Sequence, residues 1–309
     1  MVTVFLRGGL GNQMFQYAAG LELAKKRNED LFLDEVFLDD RFPRKEFTYR
    51  VFDLDIFSIE PRLTILSKIS KKFPIPGFWF VLDFFFIYAR RLLGMTYFLK
   101  EGDKRSPENF SFKDRGNVVM WGFWQSQKYF NDVENEVRAA FKCRNPLEGE
   151  AAVLGKQIAA SSSVAIHVRR GDYLLAKYAK LYAGTDLSYY DRAVEYILGK
   201  IESPYFFVFS DDIAWCKENL KLPARATVTY VDASSSGPKA SYHLELMSLC
   251  RHNIIANSTF SWWGAWLNPN AEKVVIAPDP WLPDMYRADL IPPTWRCIPT
   301  QARSNSSAS

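Results

Sequence analysis

The sequence predicts an α/β protein whose second half forms a parallel, doubly wound sheet. Apolar β-rich segments alternate with helical segments from residue 148 onward, and this alternation is typical of βαβ units. The chain also begins with such a unit, because an apolar strand at residues 2–6 leads through a glycine loop into a helical pattern at residues 15–25. The length of 309 residues favours about two domains.

The first half carries fewer clear signals. Residues 31–33 and 117–121 predict further strands, whereas residues 39–57 are charged and aromatic and predict irregular backbone. Residues 131–141 predict a helix with Asn131 as its N-cap, because an Asn followed by acidic residues is typical of a helix start.

The domain boundary is expected near residues 143–150, where a proline ends one helical pattern and a new pattern begins. This gives an N-terminal domain at residues 1–146 and a C-terminal domain at residues 147–301. The small polar tail at residues 302–309 is expected to be disordered.

The second half alternates regularly between strands and helices. The predicted strands lie at residues 164–168, 205–209, 227–231, 253–256 and 274–277, and the predicted helices at residues 148–160, 188–201, 213–220, 241–251 and 262–267. Polar clusters follow three of these strands: His167, Arg169, Arg170 and Asp172; Ser210, Asp211 and Asp212; and Asn257, Ser258, Thr259 and Ser261. Because the carboxyl ends of parallel strands share one edge, we expect these clusters to converge.

The arginines of the first cluster indicate an anionic ligand. A guanidinium group binds phosphate oxygens two at a time, and a buried strand has no need of two consecutive arginines. The alternative is an edge strand with a solvated basic end. The third cluster opens a helix, so Ser258 is either part of an anion site at the helix N-terminus or a plain N-cap.

The acidic residues of this half have two interpretations each. Asp211 and Asp212 form either a metal site with only two carboxylate ligands or the start of the next helix, with Ser210 as its cap. Glu245, on a mostly apolar helix, either faces a nucleotide or is a helix-surface acid.

Residues 73–99 form a strongly aromatic run that Pro74, Pro76 and Asp83 interrupt and an arginine pair follows. Its uninterrupted apolar part is shorter than the roughly 20 residues that cross a bilayer. It is interpreted either as a core helix or as an aromatic helix that touches a membrane surface through peripheral contact.

The composition excludes several classes. A net charge of +4 over 309 residues gives no support to nucleic-acid binding. The four cysteines are far apart and the chain has three histidines, so no zinc spacing occurs, and we expect buried free thiols in a reducing compartment. The first residues lack the apolar stretch of a secretion signal, which indicates a cytoplasmic protein.

The glycine loop at residues 7–14 weakly resembles a dinucleotide fingerprint. Gly9 and Gly11 have the required spacing, but Met14 stands at the third glycine position, so a nicotinamide oxidoreductase is only a distant alternative. The loop does predict a tight turn that brings a ligand close to the backbone at a helix start.

Five stretches in order resemble the α-1,2-fucosyltransferase family of inverting glycosyltransferases. They are GGLGNQMFQYA at residues 8–18, WGFWQSQKYF at 121–130, HVRRGDY at 167–173, FSDD at 209–212 and NSTFSWWGAWLN at 257–268. The resemblance implies a GT-B-like fold of two Rossmann-like domains that face a cleft. It also implies GDP-β-L-fucose as the donor, bound chiefly by the C-terminal half, and no metal or cofactor.

The family pattern implies roles for individual residues. Arg169 would contact the β-phosphate, His167 and Glu245 would contact the nucleotide, and Ser261 would contact a phosphate. The remaining donor-side candidates are Arg170, Asp211, Asn257, Ser258 and Thr259, and the candidates that face the donor or acceptor from the N-terminal half are Gly11, Asn12, Gln13, Gln125 and Lys128.

The expected reaction transfers L-fucose to the 2-hydroxyl of a terminal β-galactose on an oligosaccharide or a lipid-linked glycan, with peripheral contact at the inner membrane. Arg169 would stabilise the negative charge on the leaving pyrophosphate. Asp172 either pairs with Arg170 to orient Arg169 or acts as the base, and a phosphate oxygen is the other candidate to take the acceptor proton. Two alternatives are another fucosyl linkage and a non-catalytic nucleotide- or glycan-binding module.

Overall fold

The computed structural model describes residues 1–45, 48–101, 116–170, 185–224, 226–232, 238–281 and 289–300. The chain divides into two compact units, Met1–Arg144 and Asn145–Ser309. Asp172, for which the sequence predicted a catalytic role, lies outside the described residues. The same holds for the tail at residues 302–309, which was predicted to be disordered.

The first unit contains a five-stranded sheet in the order β3-β2-β1-β5-β4, in which every pairing is parallel. Its strands are β1 (Val2–Phe5), β2 (Leu31–Asp34), β3 (Arg62–Leu63), β4 (Thr96–Lys100) and β5 (Asn117–Trp121). All residues of β1 are buried, as expected for a central parallel strand that is covered on both faces.

The helices of this unit are α1 (Leu10–Arg27), α2 (Val36–Asp39), α3 (Ile65–Lys72), α4 (Phe78–Leu92) and α5 (Glu134–Ala140). Short 3-10 helices lie at Leu54–Ile56, Gln127–Tyr129 and Asn131–Val133. The N-cap predicted at Asn131 is wrong: this residue begins a 3-10 turn, and Val133 occupies the N-cap position of α5 without a side-chain bond.

The prediction of a core helix within residues 73–99 is also wrong. Helix α4 forms there, but Asp83 is its one buried residue, and side chains such as Val81 and Phe85 are 66% and 63% exposed. Apolar composition predicted burial, yet the helix lies at the surface of the unit. No helix among the described residues has the length and apolar character needed to span a membrane.

The second unit contains a six-stranded parallel sheet in the order β11-β10-β9-β6-β7-β8. Its strands are β6 (Ser163–Val168), β7 (Tyr205–Ser210), β8 (Thr227–Asp232), β9 (His252–Ile254), β10 (Val275–Asp279) and β11 (Arg296–Pro299). Its helices are α6 (Gly149–Ala159), α7 (Leu187–Leu198), α8 (Ile213–Asn219), α9 (Pro238–Leu249) and α10 (Thr259–Leu267).

The core of this unit forms between the sheet and α7. Buried side chains of β6 and β7, such as Ile166 and Val208, pack with Tyr189 and Ile197 of this helix. The Tyr189 hydroxyl donates to the carbonyl of Ile255 at 2.7 Å. Asp186 caps α7 by accepting from the amide of Tyr189 at 2.8 Å. These contacts fix the central strands, whose carboxyl ends carry the polar clusters.

The four cysteines are free thiols, as predicted from their spacing. Cys216 and Cys250 are buried. The expectation of burial fails for Cys143, which is half-buried, and for Cys297, which is exposed on the short edge strand β11.

Candidate active site

The strand order of the second sheet indicates a candidate ligand site at the end of β6. The chain first builds outward from β6 through β7 to β8, and then continues on the other side of β6 with β9, β10 and β11. Connections therefore leave β6 and β9 in opposite directions, and the crevice beyond the carboxyl ends of two such strands is where open α/β sheets bind ligands. His167 and Arg169 lie at this end of β6, and Asn257 follows β9.

Arg169 is held by an acid on the neighbouring strand. The pairing of Val168 with Ser210 in the β6–β7 ladder brings the next residues, Arg169 and Asp211, side by side. The Arg169 Nη1 atom lies 2.9 Å from Asp211 Oδ2, and the two side chains are 14% and 18% exposed. Partial burial strengthens this ion pair and limits the orientations of the guanidinium group.

Arg170 is positioned by three contacts. Its backbone amide donates to Asp211 Oδ1 at 2.9 Å, its Nε donates to Asp212 Oδ2 at 3.1 Å, and its guanidinium carbon lies 3.9 Å from the centre of the Trp215 ring. The carboxylate of Asp211 therefore holds both consecutive arginines. The sequence predicted a supporting role for Arg170 with Asp172 as partner, and the partner seen among the described residues is Asp212.

Asp212 also starts α8. Its side chain accepts from the amide of Trp215 at 3.1 Å, which makes Asp212 the N-cap. The alternative with Ser210 as cap is wrong, because Ser210 Oγ instead accepts from the amide of Asp212 at 3.0 Å. Both carboxylates are thus engaged by arginines and backbone amides.

His167 is buried and neutral. Burial lowers the pKa of its imidazole to about 3, and the charge of Arg169 lowers this pKa further, whereas Asp211 opposes the shift. Among the described residues, its Nδ1 has no hydrogen-bond partner. A buried polar atom without a partner is uncommon in a folded protein and marks a position where a ligand group can bond.

Helix α10 begins a few residues beyond β9. Ser258 occupies the N-cap position in an extended conformation, but its side chain makes no capping bond. Ser258 is therefore the N-cap residue by position, as one interpretation had it, but its side chain does not cap the helix. Thr259 starts the helix, and Asn257 Oδ1 accepts from Thr185 Oγ1 at 3.4 Å. An uncapped first turn presents amides and the positive end of the helix dipole, both of which favour an anion.

Ser261 and Glu245, the other two predicted donor-side residues, lie in different environments. The Ser261 hydroxyl is buried and donates to the carbonyl of Ser258 at 3.2 Å, so it braces the first turn of α10. Glu245 lies half-buried on α9, a helix that packs against α6 and α10. This setting differs from that of a freely solvated helix-surface acid.

In the first unit, the polar side chains of Asn12 and Gln125 lie near the ends of β1 and β5, which are neighbours at the switch point of that sheet. Gly8 has a φ of +81°, and a Cβ atom there would lie 2.5 Å from Asn12 Nδ2, so the turn requires glycine. Asn12 lies in the first turn of α1, and its Oδ1 accepts from Gln125 Nε2 at 2.7 Å. Both amides are half-buried, whereas Lys128 is exposed and lies over the Tyr129 ring.

Gln13 is a structural residue, which corrects its prediction as a residue that faces the donor or acceptor. The side chain is fully buried, and its Nε2 donates to the carbonyls of Gly8 at 2.9 Å and Val51 at 2.7 Å. Its Oε1 accepts from the amide of Asp53 at 3.0 Å. Gln13 therefore ties the glycine loop to the segment after residue 48, while Gly11 is buried in α1.

Arg7 is a residue that the sequence interpretation did not assign to the site. It lies two residues after the end of β1, its amide donates to Gln16 Oε1 at 3.1 Å, and its guanidinium carbon lies 4.2 Å from the centre of the Phe123 ring. Burial lowers the pKa of this arginine, and the charge of Glu101 opposes that shift. Its position between a buried strand and a glycine loop was the available signal.

Comparison with known families identifies the chain. The model of Glycosyl transferase family 11 matches residues 1–298. The chain belongs to glycosyl transferase family 11. It is therefore a glycosyltransferase, and the family predicted from the five sequence motifs is confirmed.

The relatives of this glycosyltransferase are both bacterial and mammalian. It is 33% identical over 301 residues to an α-1,2-colitosyltransferase of Escherichia coli, and the aligned residues cover 96% of this chain and 98% of the relative. It is 29% identical to the O-antigen biosynthesis glycosyltransferase WbnK of Escherichia coli, over 94% of this chain and 98% of the relative. It is 26% identical to human galactoside alpha-(1,2)-fucosyltransferase 1, over 86% of this chain and 65% of the relative.

Solved structures confirm the fold class. The NodZ alpha-1,6-fucosyltransferase co-crystallized with GDP aligns with a TM-score of 0.52 at 14% identity, over 87% of this chain and 92% of that protein. The glycosyltransferase is thus a GT-B-like α/β protein with parallel sheets, as the resemblance implied.

Proposed function

We propose that this glycosyltransferase transfers L-fucose from GDP-β-L-fucose to the 2-hydroxyl of a terminal β-galactose, with inversion to an α-1,2 linkage. One observation carries the proposal: a positioned arginine, Arg169, and an uncapped helix N-terminus, that of α10, flank the switch point of the second sheet. Both elements suit the pyrophosphate of a nucleotide sugar. The names of two relatives, an α-1,2-colitosyltransferase and a galactoside alpha-(1,2)-fucosyltransferase, support the α-1,2 linkage and the sugar class.

The chemistry requires stabilisation of a leaving group. Breaking the bond between fucose C1 and the phosphate oxygen leaves its electron pair on GDP, and the sugar develops oxocarbenium character. The acceptor oxygen then attacks C1 from the opposite face and loses its proton. Arg169 and the first-turn amides of α10 are the groups that would stabilise the charge on the β-phosphate where it develops.

The supporting residues have distinct proposed tasks. Asp211 fixes the direction of Arg169, while Arg170 and Asp212 complete the network behind it. His167 would offer its neutral imidazole to the nucleotide. Asp172 and a phosphate oxygen are the two proposed recipients of the acceptor proton.

We propose that the transfer needs no metal ion. The carboxylates near the candidate phosphate site, Asp211 and Asp212, are engaged by arginines. A divalent ion would have to compete with Arg169 and Arg170 for these oxygens, while the arginines already supply the positive charge that a metal would bring to the pyrophosphate.

The half-buried pair of Asn12 and Gln125 is the proposed contact for the acceptor. Carboxamides both donate and accept hydrogen bonds, which suits sugar hydroxyls. As acceptors that end in β-galactose we propose lactose or a Galβ1-3GlcNAc disaccharide, with a lipid-linked glycan as the larger natural form.

A second candidate donor is GDP-colitose, because the relative with 33% identity is a colitosyltransferase. Colitose lacks the 3-hydroxyl group of L-fucose. A site that hydrogen-bonds this hydroxyl rejects the deoxy sugar by about 10⁴-fold or more, whereas an apolar pocket discriminates weakly. The ratio of kcat/KM for the two donors therefore decides between the candidates.

The test measures transfer from each donor to lactose with EDTA present, and NMR determines the linkage of the product. The proposal expects an α-1,2-fucosyl product at a rate that EDTA does not change. Exclusive use of GDP-colitose would replace the donor assignment, and another linkage would replace the acceptor assignment. GDP binding without transfer or hydrolysis would favour a non-catalytic module, and loss of activity with EDTA would refute the metal-free mechanism.

A further inference from the structure

The solvent-facing side of α4 is apolar along its whole length. Its exposed apolar and aromatic side chains are Phe78 (49%), Val81 (66%), Phe84 (50%), Phe85 (63%), Phe86 (48%), Tyr88 (52%) and Leu92 (72%). Phe78, Val81, Phe85, Tyr88 and Leu92 recur at intervals of three or four residues, so they form one stripe on the helix.

The protein-facing side of the same helix contains its one carboxylate. Asp83 is 5% exposed, and burial together with the nearby Asp34 raises its pKa to about 8. Phe80, on the same side, packs its ring 6.3 Å from Phe5 and 5.5 Å from Phe37. Helix α4 thus reverses the usual pattern of a surface helix, in which polar residues face water.

The apolar surface continues beyond the helix. Residues before and after it are equally accessible: Ile65 is 75% exposed, Phe73 54%, Ile75 53%, Leu93 73% and Met95 49%. We call the surface formed by the exposed side chains of residues 65–95 the aromatic surface. A contiguous apolar patch of this kind marks a site of protein or membrane contact.

The segment that forms the aromatic surface is also basic. Residues 65–95 contain five of the 39 Lys and Arg residues and one of the 35 Asp and Glu residues, so the other 34 and 34 balance. Lys68 and Lys72 are exposed on α3, and Arg90 and Arg91 are exposed in the last turn of α4. The single acid, Asp83, is buried and does not offset these charges at the surface.

These features together fit a lipid surface. An interfacial helix combines an apolar aromatic face with flanking cations, and aromatic rings favour the headgroup boundary. The 15 residues of α4 span about 22 Å, less than the roughly 30 Å of a hydrocarbon core, so the helix would lie in the interface. A second copy docked by two-fold symmetry would bring like-charged arginines and lysines together, which disfavours this occupant.

We propose that the aromatic surface docks this glycosyltransferase on an anionic lipid bilayer. Outward side chains of α3 and α4 enter the headgroup boundary, and the flanking cations bind the lipid phosphates.

The experiment is flotation of the full chain with vesicles of phosphatidylglycerol and phosphatidylcholine, compared with phosphatidylcholine alone. One variant replaces Val81, Phe85 and Leu92 by aspartate, and Val153→Asp is the control, because Val153 is 68% exposed on the second unit. A second variant, Arg90→Ser/Arg91→Ser, is compared with Lys142→Ser/Lys156→Ser, which removes the same charge from exposed positions elsewhere. Circular dichroism melting verifies that each variant folds.

The proposal expects binding to the anionic vesicles that weakens at high salt. The triple variant should lose at least about 100-fold in affinity, and the arginine variant about 30-fold, while both controls stay within about threefold of wild type. Equal binding to phosphatidylcholine, or no flotation, would overturn the proposal. It would also be overturned if sedimentation equilibrium without lipid found a dimer that the triple variant abolishes.

Discussion

Substitution of Arg169 separates a role in transfer from a merely structural role. Its Nη1 atom donates to Asp211 Oδ2 at 2.9 Å, and this contact engages one of the five N–H donors that a guanidinium group carries. A planar fork of five donors has the geometry to bond a carboxylate and a phosphate together. A lysine ammonium keeps the charge but is a point donor on a flexible stem, so it cannot reproduce the bidentate geometry.

The geometry sets the expected magnitudes. A hydrogen bond to a charged group contributes about 1.5–3 kcal/mol, so Arg169→Lys, which removes about one such bond, should reduce kcat/KM by about 30-fold. Arg169→Ala removes two bonds and leaves the carboxylate of Asp211, 18% exposed, without this cation. Its expected loss is about 10³- to 10⁴-fold.

The assay measures initial rates of GDP release with GDP-fucose and lactose, together with calorimetric GDP binding. An interaction made in the transition state lowers kcat and kcat/KM alike. Arg192→Lys on the exposed face of α7 is the matched control and should keep wild-type rates. Asp211→Asn combined with Arg169→Ala should recover stability but not activity.

Two results would refute this reasoning. If Arg169→Lys kept the kcat/KM of the wild type, the bidentate guanidinium group would not be needed for transfer. Recovery of activity in the double variant would mean that Arg169 serves only to neutralise Asp211.

Three further predictions concern residues whose environment the structure defines. Burial lowers the pKa of His167 to about 3, so the folded state loses stability as the pH falls below about 6.5, the ordinary pKa of histidine. Between pH 7 and pH 5 the wild type should lose on the order of 2 kcal/mol of unfolding free energy in urea, and His167→Gln should not. The same pH profile in both proteins would contradict this prediction. The pKa of Asp83 is raised to about 8, so the folded state binds the proton more tightly and stability falls as the pH rises from about 4 to about 8. Asp83→Asn should therefore exceed wild type by on the order of 5 kcal/mol at pH 8 and by little at pH 4, and equal stabilities at pH 8 would disprove the burial argument. Gln13→Ala should lower the free energy of unfolding by about 3 kcal/mol, because three buried hydrogen bonds are lost; unchanged stability with reduced transfer would instead return Gln13 to the substrate site.

Much of the second unit was predictable because a parallel sheet converts chain order into position. Once residues 164–168, 205–209 and 253–256 are strands, the polar residues after them must share an edge. The structure places the described members of these clusters at the ends of β6, β7 and β9, and β6 lies between the other two strands in the sheet. The sequence could not order the strands, so it could not show that β6 and β9 form the switch point.

Strands β3, β4 and β11 escaped prediction for local reasons. β3 has two residues, β4 (TYFLK) overlaps the end of the aromatic run at residues 73–99, and β11 (RCIP) contains a proline at the sheet edge. Short or irregular segments of this kind carry no periodic signal, and they become strands only because a neighbouring strand offers hydrogen bonds.

By itself, the sequence determined the fold class, the family motifs and the arginine-rich strand end that anchors the proposed donor site. Only the tertiary structure decided which partners the charged groups take: Asp211 lies 41 positions after Arg170, and register brings them together. It also decided that Gln13 is structural and that α4 turns its aromatic residues outward. Side-chain identity sets what a residue can bond, but its partners and its exposure are set by packing between segments that are distant in the chain.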